Sequence, residues 1–228
     1  MDRLSELGQN RGISMRLLCR FAFLGAFLSL ATSSFAGNFS FAGNFINDND
    51  LQEFIFTIAN PGTVTMQTWS FAGGTNVHAT VIPAGGFAPV LALFDNTGTI
   101  VGNIDQGGTP PLNCGPRNID AATGFCLDAY LSENLGAGVY TLILSQQDNV
   151  PLGQHLSDGY QHDGDPNFAG GFNDFGAQRN SSWAVDILTV DSALPVTGTP
   201  EPNSALGLLA GLAGLAGMGR KWNSKGRV

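Results

Sequence analysis

The chain predicts an all-β fold: a jelly-roll-like β-sandwich of about nine strands, flanked by an N-terminal signal helix and a C-terminal apolar helix. Three observations point there. Glycine (31 residues) and phenylalanine (16) are abundant while charged residues make up 12% of the 228 positions. That mixture suits short, tightly turned strands and is poor in the Lys, Arg and Glu of long surface helices. Short segments alternate large apolar with small or polar residues, and no stretch between the two ends sustains a helical period.

Taken in order, the first strand is expected at residues 39–45, where Phe39, Phe41 and Phe45 alternate with small residues. Residues 35–45 read FAGNFSFAGNF, a near-duplication too short for a repeat architecture. Residues 51–58 follow, with Phe54, Phe56 and Ile58 on one face. Asn60-Pro61-Gly62 is a turn signal ahead of a third strand at 63–69. Further strands are expected at 77–82, 90–94, 99–103, 129–134, 138–145 and 183–190. Asp95-Asn96-Thr97-Gly98 reads as a hairpin turn in which Gly98 supplies positive φ. Gly136-Ala137-Gly138 gives the same punctuation before Val139–Leu144.

The ends read as addresses. Met15-Arg16 opens a basic start, Phe21 to Leu30 is apolar, and Ser34 and Ala36 are the small residues of a signal peptidase site. Cleavage is expected after Ala36, in the wake of the Sec translocon. Cys19 precedes the apolar run and leaves with the signal. At the other end, Thr199-Pro200-Glu201-Pro202 leads into an uncharged run at 204–218 and then Arg220-Lys221. The run is at the short limit for crossing a bilayer, and its trailing cations favour the cytoplasmic side. Three regions result: a leader and signal at 1–36, a sandwich domain at 37–195, and a linker plus sorting tail at 196–228.

This split sharpens the charge. Of 18 acidic and 10 basic residues, two acidic and four basic precede Gly37, and four basic follow Glu201. From Gly37 through Glu201 the chain keeps 16 acidic residues against two basic ones, Arg117 and Arg179, for a charge near −14. That disfavours nucleic acid and anionic membrane as direct ligands of the domain. Divalent cations, or plain solubility outside the cell, are compatible with it.

The ordered Pro200-Glu201-Pro202, apolar run and basic cluster resemble the PEP-CTERM sorting signal of exported bacterial proteins. The resemblance implies recognition by an exosortase, a membrane transpeptidase, with cleavage near Pro200-Glu201-Pro202. It also implies an envelope or surface location in exopolysaccharide-producing bacteria, with membrane contact through the C-terminal helix only before processing.

A second resemblance spans roughly residues 39–190. Asp48-Asn49-Asp50 with Phe54-Ile55-Phe56, Pro61-Gly62-Thr63-Val64, Pro89 to Gly98, and Leu135 to Leu142 follow an ordered pattern. They look like the bacterial pre-peptidase C-terminal type of β-sandwich. That resemblance implies a non-catalytic accessory module, sometimes holding calcium. The chain departs from it at Ala88, where an Asp commonly stands, and in long insertions at 105–127 and 146–181.

Cys114 and Cys126 are the cysteines left after export, and an exported chain with an even count predicts a disulfide between them. Asp48 with Asp50, and Asp163 with Asp165, are candidate calcium ligands: hard oxygen donors at compatible spacing. Neither pair completes an EF-hand. The insertion at 146–181 also carries His155 and His162, read as surface-loop histidines, and its length suggests a functional loop or an extra hairpin. Trp69 and Trp183 sit in strand patterns and are read as core. Tyr130, Tyr140 and Tyr160 could stack on sugar rings if exposed.

Nucleophile elbow, zincin, phosphate-loop and dinucleotide signatures are missing. Glu53 and Glu133 form a glycosidase pair only by assumption. The expected function is therefore a non-enzymatic structural or adhesive module of the cell surface or extracellular matrix, with exopolysaccharide as a conceivable partner. The alternatives are a calcium-dependent carbohydrate-binding module and, third, a hydrolase.

Overall fold

The computed structural model describes residues 36–107 and 114–196. The expected flanking helices and Pro200-Glu201-Pro202 fall outside those residues. Among the described residues no helix is long and apolar enough to cross a membrane.

Two four-stranded antiparallel sheets face one another in a sandwich-like all-β fold. The first runs in the order β1 (Gly37–Asn44), β11 (Ser182–Val190), β3 (Gly62–Thr68), β7 (Tyr130–Leu135). The second runs β12 (Ser192–Pro195), β2 (Gln52–Ile58), β8 (Gly138–Gln146), β6 (Pro89–Phe94). Two-residue strands form small hairpins, β4 (Gly74–Thr75) with β5 (Val81–Ile82) and β9 (Asn173–Asp174) with β10 (Ala177–Gln178).

Within the two main sheets no strand pairs with its neighbour in sequence. Each link carries the chain from one sheet to the other. Gly136-Ala137 is therefore an arch between β7 and β8 and not a hairpin within one sheet. Every ladder is long-range, which makes the topology intrinsically slow to fold.

The alternating pattern puts Phe54, Phe56 and Ile58 from one sheet against Val64, Met66, Val185 and Ile187 from the other, all buried. Trp183 lies in this core between Phe45 and Phe54, at ring distances of 6.1 and 5.9 Å. β6 does not alternate: all six of its residues are buried. Leu91 and Leu93 face the main core, while Ala92 and Phe94 join Ile143 and Tyr160 in a second cluster on the outer side of their sheet. A strand covered on both faces reads as a continuous apolar run.

Two expected strands come out differently. Of the strand expected at 77–82 only Val81–Ile82 forms, as β5, because Asn76 Oδ1 accepts from the amides of His78 and Thr80 and closes a turn ahead of it. Residues 99–103 lie along the free edge of β6 in isolated bridges. Asp105 exchanges backbone bonds of 2.9 and 3.0 Å with Leu91, and Val101 donates to the Leu93 carbonyl. Gly102, at φ 71°, breaks any regular ladder, and a side chain there would strike the Glu133 carboxylate. The turn at Asp95–Gly98 is formed as expected, with Gly98 at φ 77° and the Asp95 carboxylate accepting from Thr97 and Thr99. The short β12, ending in Pro195, has no counterpart in the sequence expectation.

A methyl group on Gly43 would come within 2.4 Å of the Trp183 ring, which Phe45 and Phe54 hold from the other side. Gly43→Ala is therefore expected to cost about 1–3 kcal/mol through overpacking. A thermal melt reads this out, and an unchanged midpoint would mean that the Trp183 ring is free to move aside.

Candidate functional site

The strand registers place the long loops at one end of the sandwich and the tight turns at the other. Tyr130 pairs with Gln67, Pro89 with Gln146 and Ser182 with Asn44. Loops 45–51, 69–88, 105–129 and 147–181 therefore meet at one end. Loops on such a scaffold commonly carry function, and here buried charges hold them together.

Asp128 is 1% exposed, and its carboxylate accepts from the Thr68 hydroxyl and from the backbone amides of Ser70, Phe71 and Ala72. The loop after β3 is wound around this one side chain. Burial outweighs those four donors and pushes the carboxyl up to about 6. Asp174, in β9, accepts from the Ala88 amide at 2.8 Å and from Gln146 Nε2 at 3.0 Å. Burial raises its pKa as well. The Ala88 amide thus bonds a carboxylate from a distant loop.

The two insertions meet at Arg179. Its guanidinium pairs with Asp120 at 2.8 Å, both side chains being nearly fully buried, and its central carbon lies 3.7 Å from the centre of the Phe71 ring. Burial raises the Asp120 pKa, but the bonds from Arg179 and Thr123 outweigh it and hold the carboxyl below its ordinary value. Nearby, Phe125 of one insertion packs on Phe175 of the other at 5.6 Å. Arg117 pairs with Asp105, whose carboxylate also accepts from the amides of Gly107 and Tyr130. Both cations of the acidic domain thus hold the first insertion in place.

The expected disulfide is formed between Cys114 and Cys126, twelve residues apart in sequence. Closing a loop of that size stabilises by about 2–3 kcal/mol in the chain-entropy account.

The four candidate calcium ligands fall on two segments that do adjoin. Asn49 Nδ2 donates to the His162 carbonyl, and the Asn149 side chain bonds both Asn49 and His162. Three of their carboxylates bond backbone amides, however. Asp48 accepts from the amides of Ala169 and Gly171, Asp50 from Ile46 and Asn47, and Asp163 from Tyr160. Asp165 is exposed in a turn. Among the described residues no three His, Cys, Asp or Glu side chains are grouped to hold a metal ion.

Glu53 and Glu133 do not converge. Glu53 lies on the outer face of the second sheet, where partial burial raises its pKa. Glu133 lies on the core-facing side of β7, opposite Val64. Of the aromatic candidates, Tyr160 is 2% exposed and burial raises its pKa further. Tyr140 stacks on Phe56 at 5.5 Å. Trp69 is half-buried, its indole N–H donating to Asp186 at 2.9 Å. His162 stacks on Phe168 with ring centres 3.8 Å apart.

Asp120, Asp128 and Asp186 were not singled out by sequence reasoning. A signal existed for two of them: Asp128 and Asp186 each interrupt an apolar run, in Cys126-Leu127-Asp128-Ala129 and Ala184-Val185-Asp186-Ile187. An acid in such a run is either outward-facing or paired. No protein-family model matches the chain, and no curated protein matches it.

Because the Asp128 carboxyl sits near 6 in the fold against an ordinary 3.8, the folded chain takes up this proton before the unfolded chain does. The stabilisation from protonated Asp128 is then complete below about pH 4 and lost as pH rises through about 6, by at most about 3 kcal/mol. Carboxyl-carbon NMR of Asp128 is expected to show a midpoint near 6. A midpoint at or below the ordinary 3.8 would show that its four donors fully offset burial.

Proposed function

We propose that this chain is an exported protein of the cell surface or extracellular matrix, and that its acidic, jelly-roll-like sandwich is a non-enzymatic structural or adhesive module. On this reading signal peptidase cuts after Ala36, an exosortase acts near Pro200-Glu201-Pro202, and the apolar tail anchors the chain only in transit. The likeness to the pre-peptidase C-terminal type of sandwich belongs to the same reading, with exopolysaccharide as the partner to test first.

The observation that carries the proposal is the fit between the fold's limits and the two cuts. β1 opens at Gly37, directly behind an exposed Ala36, and β12 ends at Pro195, before the sorting motif. Both cuts would leave the eight main strands whole. The Cys114–Cys126 disulfide adds support, since such bonds persist in oxidising compartments. The buried carboxylates at the long-loop end add more: they hold backbone amides or Arg179, the pattern of a rigid module.

Mass spectrometry of the protein recovered from the surface of producing cells tests this. The expected result is an N-terminus at Gly37, a C-terminus near residues 200–202 and an intact disulfide. An intact peptide containing Trp222, or free thiols at Cys114 and Cys126, would overturn it.

A further inference from the structure

The two sides of the sandwich are finished differently. On the side of β6 and β7, residues 99–105 run along the edge of β6, and the Asp105 carboxylate accepts from the Tyr130 amide of β7. That side is closed. On the other side β1 and β12 are the edge strands of their sheets, packed one over the other, and among the described residues each is paired along one edge only.

β1 is eight residues long, and neither β1 nor β12 contains a charged residue. Edge strands are normally protected by charge, proline or a bulge, because a row of free amides and carbonyls templates another strand. Pro195 blunts the end of β12, but β1 has neither a charge nor a proline. Its inward residues Phe39 and Phe41 are only partly buried, although they face the core. Leu194 of β12 is 69% exposed and Ile55 of β2, its register partner, is 39% exposed.

β1 also reads the same in both directions on its inner face: Gly37, Phe39, Phe41, Gly43. An antiparallel pairing of two β1 strands centred on Ser40 sets Phe39 opposite the copy's Phe41 and Gly37 opposite the copy's Gly43. Aromatic cross-strand pairs of this kind stabilise a sheet. Net charge opposes association of two copies over most of the acidic surface, and the uncharged strands β1 and β12 are where that repulsion is weakest.

We propose that β1 pairs antiparallel with β1 of a second copy of this chain, across a two-fold axis at Ser40, joining the two first sheets into one. The pairing is isologous, so it closes at a dimer.

Cysteine cross-linking in the full chain tests the register. Under mild oxidation Ser40→Cys is expected to give a covalent dimer whose linked peptide joins position 40 to position 40. Asn44→Cys should give none, because the two copies of that position would lie about 27 Å apart. Ser40 also faces Asp186 within its own sheet and accepts from Asn76, so the charge test is placed at the exposed positions 38 and 42, which the register sets opposite each other. The double variant Asn38→Asp with Ala42→Asp, which sets like charges face to face, is expected to shift the chain from dimer to monomer in sedimentation while its melting transition stays cooperative. A wild-type chain that sediments as a monomer, equal cross-linking at positions 40 and 44, or a dimer that the folded double variant leaves intact would each overturn the proposal.

Discussion

The long-loop end of this domain depends on one buried cation. Arg179 closes the second insertion, pairs with Asp120 in the first and covers the Phe71 ring, whose own backbone amide is held by Asp128. One guanidinium thus ties three loops into a single unit. In a domain with only two cations among so many acids, a buried Arg cannot be exchanged for a neutral side chain without leaving Asp120 charged and dry. Removing one partner of such a pair typically costs about 3–5 kcal/mol.

The buried carboxylates complete the same design. A loop wrapped across the end of a sandwich turns its amides inward, and those donors need acceptors when no strand is there to supply them. Asp128 serves loop 70–72, Asp174 serves Ala88, and Asp48 serves 169–171. Each carboxylate reaches across long stretches of sequence to do so. The acidity of the chain is therefore partly architectural: several of its acids take the place of backbone partners, and the buried Asp120 pairs with Arg179.

This division explains what could be read from the sequence. Strands with one buried face announced themselves through Phe54, Phe56 and Ile58 or through Val185 and Ile187, β6 showed as a continuous apolar run, and seven of the eight main strands were expected where they form. Pairing could not be read, because the Gly136-Ala137 signal looks the same whether the chain turns within a sheet or arches between two. The disulfide followed from the even cysteine count together with the expectation of export. The carboxylate anchors stayed hidden, since the partner of Asp128 is a set of backbone amides, which leave no mark in the sequence. The aspartates Asp50 and Asp163, expected as candidate calcium ligands, instead accept from backbone amides three or four residues away, as turn aspartates do.

The stapled loop end lies opposite compact turns at the other pole of the sandwich. The central claim is that the insertions belong to the core in energetic terms and are not ornaments on it. Native-state hydrogen exchange tests this most directly. The amides of Phe71, Ala72 and Ala88, which donate to buried carboxylates, are expected to exchange only with global unfolding, as slowly as Leu142 and Leu144 in β8. Exchange at Phe71, Ala72 and Ala88 through local opening, many times faster than in β8, would contradict the account.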